Sequence, residues 1–278
     1  MARLMSADPA VESAEDSAAE SARLCEVPFH RGDKHPLYYV HEISGSVLHF
    51  APVARLLADQ RSVIGLQSVG THPGHPADRT IEEMAERFLA VVGRRADAEP
   101  LDLVGYSVGG LIAFEMAARA AAAGIRVRML GLIDAPAPGT PSGITPARVV
   151  RMIAHGLGIK SVATSESQDS EGLLSMLVAE GREAELFPDD YTEADLRPSV
   201  DLQVITGRAA EAYRTHRVFD GDVRLIGARG QLAAKTAAWQ PYVSSAILGS
   251  EVDAGHYDLM KGRALGEVTA IVRNWVSE

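Results

Sequence analysis

The chain has 278 residues, 46% of them hydrophobic and 23% charged, which suits a globular protein with a sizeable core. Its 27 basic and 37 acidic residues leave a net charge of -10, which excludes the basic footprint of a nucleic-acid binder and repels anionic lipid. One cysteine, Cys25, excludes an internal disulfide and a multi-cysteine zinc site, and the longest nearly apolar run, Leu103 to Phe114, is too short to span a bilayer.

Residues 1–26 are rich in Ala, Ser and Glu and carry no aromatic residue, so they read as a disordered tail or linker. They lack the apolar stretch of a signal peptide, and a cytoplasmic enzyme is expected. Leu37 to Val40 reads as a strand, Val47 to Asp59 has helical apolar spacing, and Ser62 to Leu66 is a second strand. Thr80-Ile81-Glu82-Glu83 is a capping box that opens a helix running to about Val92. Leu101 to Val104 is a third strand, Leu111 to Ala123 a helix closed by Gly124, and Val127 to Ile133 a fourth strand. Strands that are near-continuous apolar runs, alternating with helices, predict a mostly parallel α/β sheet covered on both faces.

The rhythm breaks at Ala135 to Gly143, which is Pro- and Gly-rich. A helical pattern follows from Thr145-Pro146, a cap residue and a first-turn proline, to about Ile205. Strands resume at Val223 to Gly227 and Ala246 to Glu251, and a last helix covers Ala264 to Val276. A helical insertion, set at 141–210, therefore interrupts the sheet.

Gly105-Tyr106-Ser107-Val108-Gly109 fits G-x-S-x-G between a strand and a helix, the context of a nucleophile elbow. A turn this sharp exposes the serine hydroxyl and leaves room only for small residues two positions to either side. The helix start behind it offers N–H dipoles to a developing oxyanion. A serine needs a base, which in this fold order follows the last strand. Of nine histidines, only His256 lies there. The acid follows one of two strands. No carboxylate lies in Ala228 to Lys235 after the later strand, whereas Asp134 directly follows Ile133 at the end of the earlier one. Ser107, Asp134 and His256 are thus the expected catalytic set. Val108 is the expected first oxyanion donor; Ile43, in the loop after Val40, is the second choice, with Ser44 next. Ser44 and Tyr106 are candidate substrate contacts. No metal-ligand cluster stands out.

Pro36 to His41, Gly45 to Leu48, Gly65-Leu66-Gln67, Gly105 to Gly110, Gly131 to Asp134 and Gly255-His256 together resemble the thioesterase domains of polyketide synthases and nonribosomal peptide synthetases, over residues 27–276. The resemblance implies an α/β-hydrolase core with a helical lid and no metal or organic cofactor. It also implies an acyl chain presented as a thioester on the phosphopantetheine arm of a carrier protein. The family's nucleophile, acid and base fall on Ser107, Asp134 and His256. Release follows as hydrolysis or macrocyclisation from an acyl-enzyme, by a free-standing protein or a piece of a longer synthase. The family's first loop usually reads His-Pro-Ala-Gly-Gly; here it is His41-Glu42-Ile43-Ser44-Gly45, and Glu42 is expected to face solvent, with contact to a polar substrate group as the alternative. Arg148, Arg151 and Lys160 make the start of the insertion basic, as a solvated helix face or a greeting for an acidic carrier or the phosphate of its arm. The rivals are a stand-alone editing thioesterase, an esterase or acyltransferase of the same fold, and a non-catalytic scaffold.

Overall fold

A computed structural model describes residues 20, 23–31, 35–96 and 100–277. The described residues form a seven-stranded sheet in the order β1-β3-β2-β4-β5-β6-β7. Its strands are β1 (Glu26–His30), β2 (Pro36–Val40), β3 (Ser62–Leu66), β4 (Leu101–Tyr106), β5 (Val127–Ile133), β6 (Val223–Ala228) and β7 (Ile247–Val252). All pairs are parallel except β1 with β3.

Period-2 alternation divides each central strand between two cores. Tyr38, Val40, Leu103, Leu130, Leu132 and Leu225 face one side. There α2 (Ile81–Ala96) and α3 (Val108–Ala122) cover the sheet. Leu37, Tyr39, Val104, Met129, Ile133 and Ile226 face the other, under α1 (Ala51–Leu57) and α9 (Gly262–Ser277). This two-sided covering is what the apolar runs predict.

Several local signals act as read. Thr80 Oγ1 accepts from Glu83 N at 3.1 Å, and the Glu83 carboxylate accepts from Thr80 N at 3.2 Å, closing the capping box. Gly124 follows α3 with φ +78°, the left-handed turn a helix end favours. Thr145 caps α4 (Pro146–Leu157), accepting from Arg148 N at 3.2 Å.

Between β5 and β6 the chain forms α4, α5 (Lys160–Ala163), α6 (Ser170–Glu183) and α7 (Glu193–Ala212). These helices bury a small core of their own, including Val149, Val150, Leu173, Leu174 and Leu177. The predicted helical stretch ends at about Ile205, but α7 continues to Ala212. Tyr213 just beyond it donates to the buried Glu115 of α3 at 2.7 Å and anchors the insertion to the sheet domain.

Two elements escape the sequence pattern. Residues 1–19 and 21–22 of the expected tail lie outside the described residues. Its last residues do not form a tail: Cys25 is fully buried, and the Leu24 carbonyl accepts from Gln67 Nε2 at 3.2 Å. Glu26 then opens β1, whose Pro28 is tolerable because the strand is at the sheet edge. After β6, the carboxylate-free segment forms α8 (Leu232–Trp239), which brings Lys235 back toward the sheet.

Candidate active site

Ser107 stands between β4 and α3 with φ 53° and ψ -126°, a strained conformation for a residue with a Cβ. Packing enforces it. A Cβ on Gly105 would lie 2.1 Å from the Gly109 carbonyl oxygen, and one on Gly109 would lie 2.4 Å from the His41 carbonyl oxygen. Neither neighbour is a side chain that can turn away, so both positions need glycine. The turn lifts the Ser107 hydroxyl above the C-terminal ends of the strands.

Asp134 directly follows β5 and also has positive φ, 45°. Its N–H donates to the Ile226 carbonyl at 2.7 Å, which ties the strained residue to β6. Its Oδ1 accepts from Ala228 N at 3.0 Å, and its Oδ2 accepts from His256 Nδ1 at 2.5 Å. His256 follows β7. Its other nitrogen, Nε2, lies 3.1 Å from Ser107 Oγ, placed to accept the hydroxyl proton. The three predicted residues therefore meet in one continuous hydrogen-bonded line.

Burial pushes the Asp134 carboxyl up. The hydrogen bond from His256, the charge of Lys235 and the Ala228 amide outweigh it and hold the group below its usual range. Lys235 Nζ lies 3.3 Å from Asp134 Oδ1 and donates to the Asp134 carbonyl at 2.9 Å. No sequence pattern marks this lysine, which reaches Asp134 only because α8 packs back against the sheet.

Val108 is the first residue of α3, so its N–H lacks an intrahelical acceptor. Ile43 lines the same cavity as Ser107. The peptide joining Glu42 to Ile43 is held from the carbonyl side: Glu42 O accepts from Gly45 N at 3.0 Å and from buried His41 Nδ1 at 2.6 Å. In a trans peptide the C=O and the next N–H point in opposite directions, so these bonds aim Ile43 N–H away from His41. Burial lowers the His41 pKa, which favours the neutral ring with a proton on Nδ1. In the sequence His41 stands out only as the first residue of the loop that resembles the family's.

Ser44 cannot serve as the second oxyanion donor as arranged here. Its N–H donates to Glu42 Oε2 at 3.0 Å and its hydroxyl to Oε1. Glu42 itself corrects the solvent-facing expectation: its side chain is 14% exposed and lies on the cavity wall, drawn inward by Ser44. Tyr106 lines the cavity too, but its hydroxyl donates to the His256 carbonyl at 2.5 Å and its ring stacks on the His256 ring. Burial pushes the Tyr106 phenol well above its usual range, so it stays a donor.

The cavity over Ser107 measures about 890 Å³. Ile144, Met152, Ile153, Gly207 and Ala210 of the insertion wall it with apolar surface. Arg148 and Arg151, read as a basic face, donate to the Ser142 and Ser167 carbonyls at 2.5 and 2.7 Å. Among the described residues, no group of three or more His, Cys, Asp or Glu is placed to hold a metal ion, and no helix is long and apolar enough to cross a membrane.

A mostly parallel sheet with helices on both faces, a strained serine after the central strand β4, and an aspartate and histidine after later strands define the α/β-hydrolase class. Within that class the chain belongs to the Thioesterase domain family, whose model matches residues 35–276. An atromentin synthetase of Suillus grevillei is 38% identical over 105 residues, which are 38% of this chain and 11% of that protein. Enterobactin synthase component F of Escherichia coli O157:H7 is 27% identical over 95% of this chain and 19% of its own length. The chain thus spans a tenth to a fifth of these curated relatives. The fold is shared with the NocB thioesterase domain in covalent complex with a fluorophosphonate nocardicin G analog. That match has TM-score 0.65 and 22% identity, over 88% of this chain and 95% of that one. It is also shared with the type II thioesterase BorB from the borrelidin biosynthetic cluster, at TM-score 0.66 and 20% identity over 91% and 98%.

Proposed function

We propose that this thioesterase-family chain releases an acyl chain from the phosphopantetheine thioester of a carrier protein through an acyl-enzyme on Ser107. The reading is carried by one observation: Ser107 Oγ lies 3.1 Å from His256 Nε2, with Asp134 behind the imidazole and a roomy apolar cavity above. His256 takes the hydroxyl proton as Oγ attacks the thioester carbonyl. The oxyanion is held by the N–H groups of Val108 and Ile43. The C–S bond breaks, and the carrier thiol leaves with the proton from His256. Water, or a nucleophile on the acyl chain, then loses its proton to His256 and attacks the Ser107 ester; the C–O bond breaks and Ser107 regains its proton. The first route gives an acid and the second a ring. These steps draw only on side chains, backbone amides and the carrier's own arm.

The insertion α4–α7 acts as the lid, since it walls the cavity where the acyl chain is held. A short apolar thioester on pantetheine is the minimal substrate. Intact mass after mixing is expected to show an acyl adduct, mapped to the peptide holding Ser107 and absent from Ser107→Ala. A fluorophosphonate probe is expected to label the same residue. Full turnover by Ser107→Ala, or faster hydrolysis of the matched oxyester than of the thioester, would overturn the reading.

A further inference from the structure

Glu42 is a carboxylate at the wrong address for plain ester chemistry. It stands one residue before the Ile43 oxyanion donor, and its side chain is 14% exposed on the wall of the Ser107 cavity. Ser44 supplies its hydrogen bonds from the N–H and the hydroxyl, both neutral donors. Among the described residues, the nearest basic group is His49, with Nδ1 3.9 Å from Glu42 Oε1. Burial pulls the His49 pKa down, against the pull of Glu42, so this ring is a weak counter-ion near neutrality. Among the described residues, none of the lysines and arginines lining the cavity, Lys261 included, forms an ion pair with Glu42. Lys235 pairs with Asp134, Arg229 with Asp253, and Arg148 donates to the Ser142 carbonyl. A mostly buried carboxylate with no paired cation is unfavourable, and a second negative charge forming in the same cavity makes it more so. A positive group on the substrate would relieve both.

We propose that the Glu42 carboxylate selects acyl chains carrying a cationic amine close to the reacting carbonyl. The inference rests on the thioester-release reading above and names its substrate class. The ammonium donates to the lone pairs of Glu42 that Ser44 leaves open, in a charge-assisted hydrogen bond. Neutralising Glu42 also removes a repulsion that grows as the oxyanion forms, so the preference includes kcat and not KM alone.

The test uses two pantetheine thioesters of equal length, 3-aminobutanoyl and butanoyl, with the N-acetyl form of the first as a size control. The native protein is expected to prefer the free amine by about tenfold in kcat/KM over both neutral substrates. In Glu42→Gln that ratio is expected to fall toward one, while Glu42→Asp retains part of it. The ratio is internal to each protein, so a general loss of activity in a variant leaves it readable. Equal kcat/KM for amine and neutral substrates in the native protein would overturn the proposal without touching thioester release. So would a preference that survives Glu42→Gln. Turnover of none of the three would overturn the release reading and this one with it.

Discussion

The Tyr106 hydroxyl donates to the His256 carbonyl at 2.5 Å, and the two rings stack with centroids 5.2 Å apart. The residue before Ser107 thus grips the backbone of the proposed base. Tyr106→Phe keeps the stacking and removes the donor. We expect kcat to fall about threefold to tenfold with KM nearly unchanged, and stability to fall by about 1 kcal/mol. Steady-state kinetics beside a thermal melt checks this; an unchanged kcat would leave the tyrosine as packing only.

Asp134→Asn keeps the shape of the acid but reverses what it asks of the imidazole. The amide cannot stabilise a charged His256, and kcat is expected to drop by about 10³ to 10⁴ with the fold retained. Near-normal turnover in a variant with native circular dichroism would sink the acid assignment.

His41 holds the Glu42 carbonyl at 2.6 Å, and on the proposed mechanism it acts on the oxyanion only through the next N–H. Removing a whole oxyanion donor typically lowers kcat by about 10² to 10³, so loosening one should lower it by about tenfold. His41→Ala is expected to show that loss in kcat with little change in KM. His41→Asn, which keeps a short donor, should recover part of it. A loss confined to KM would contradict the positioning role.

Ser107 stores backbone strain at φ 53°, which a residue without a Cβ does not suffer. Both Ser107→Ala and Ser107→Gly should abolish labelling by a fluorophosphonate. The glycine variant should melt higher than the alanine variant, by about 1 kcal/mol of stability. Equal melting points would mean the turn is relaxed.

Asp102 gives the fold a pH dependence. It is fully buried, with Arg128 Nε donating to its Oδ1 at 2.8 Å and His35 Nε2 3.3 Å from its Oδ2. Burial raises its pKa, but the bonds from His35 and Arg128 outweigh this and hold it below the usual value, as happens at Asp134. A carboxyl depressed in the folded state takes up protons more readily once unfolded. Its stabilisation is therefore complete above about pH 5 and is lost as pH falls through the carboxylate range. Melting temperature should fall on acidification from pH 6 to 3, and Asp102→Asn should be less stable at pH 7 with a flatter slope. A parallel slope in the variant would exclude Asp102 as a source.

Much of this molecule was legible in one dimension. Apolar runs set the strands, and Thr80, Gly124 and Thr145 set helix ends, because these are interactions between near neighbours. The elbow was legible because Gly105 and Gly109 meet backbone, which no other residue type allows. Asp134 and His256 could be placed because a parallel sheet puts every strand's C-terminal end on one rim. The edge strand β1, with its Pro28, and helix α8 were not legible, since their stability comes from what they pack on.

Sequence by itself thus determined most of the elements, the two-faced sheet and the rim on which Ser107, Asp134 and His256 gather, all consequences of local periodicity and chain direction. Only the tertiary structure decided that Ser107, 149 residues before His256, and Asp134, 122 before it, close to hydrogen-bonding distance. It alone turned Glu42 inward, aimed the Ile43 amide through His41, and set Lys235 beside Asp134. Such choices depend on which distant donor or charge satisfies a buried polar group, and no short-range pattern records that.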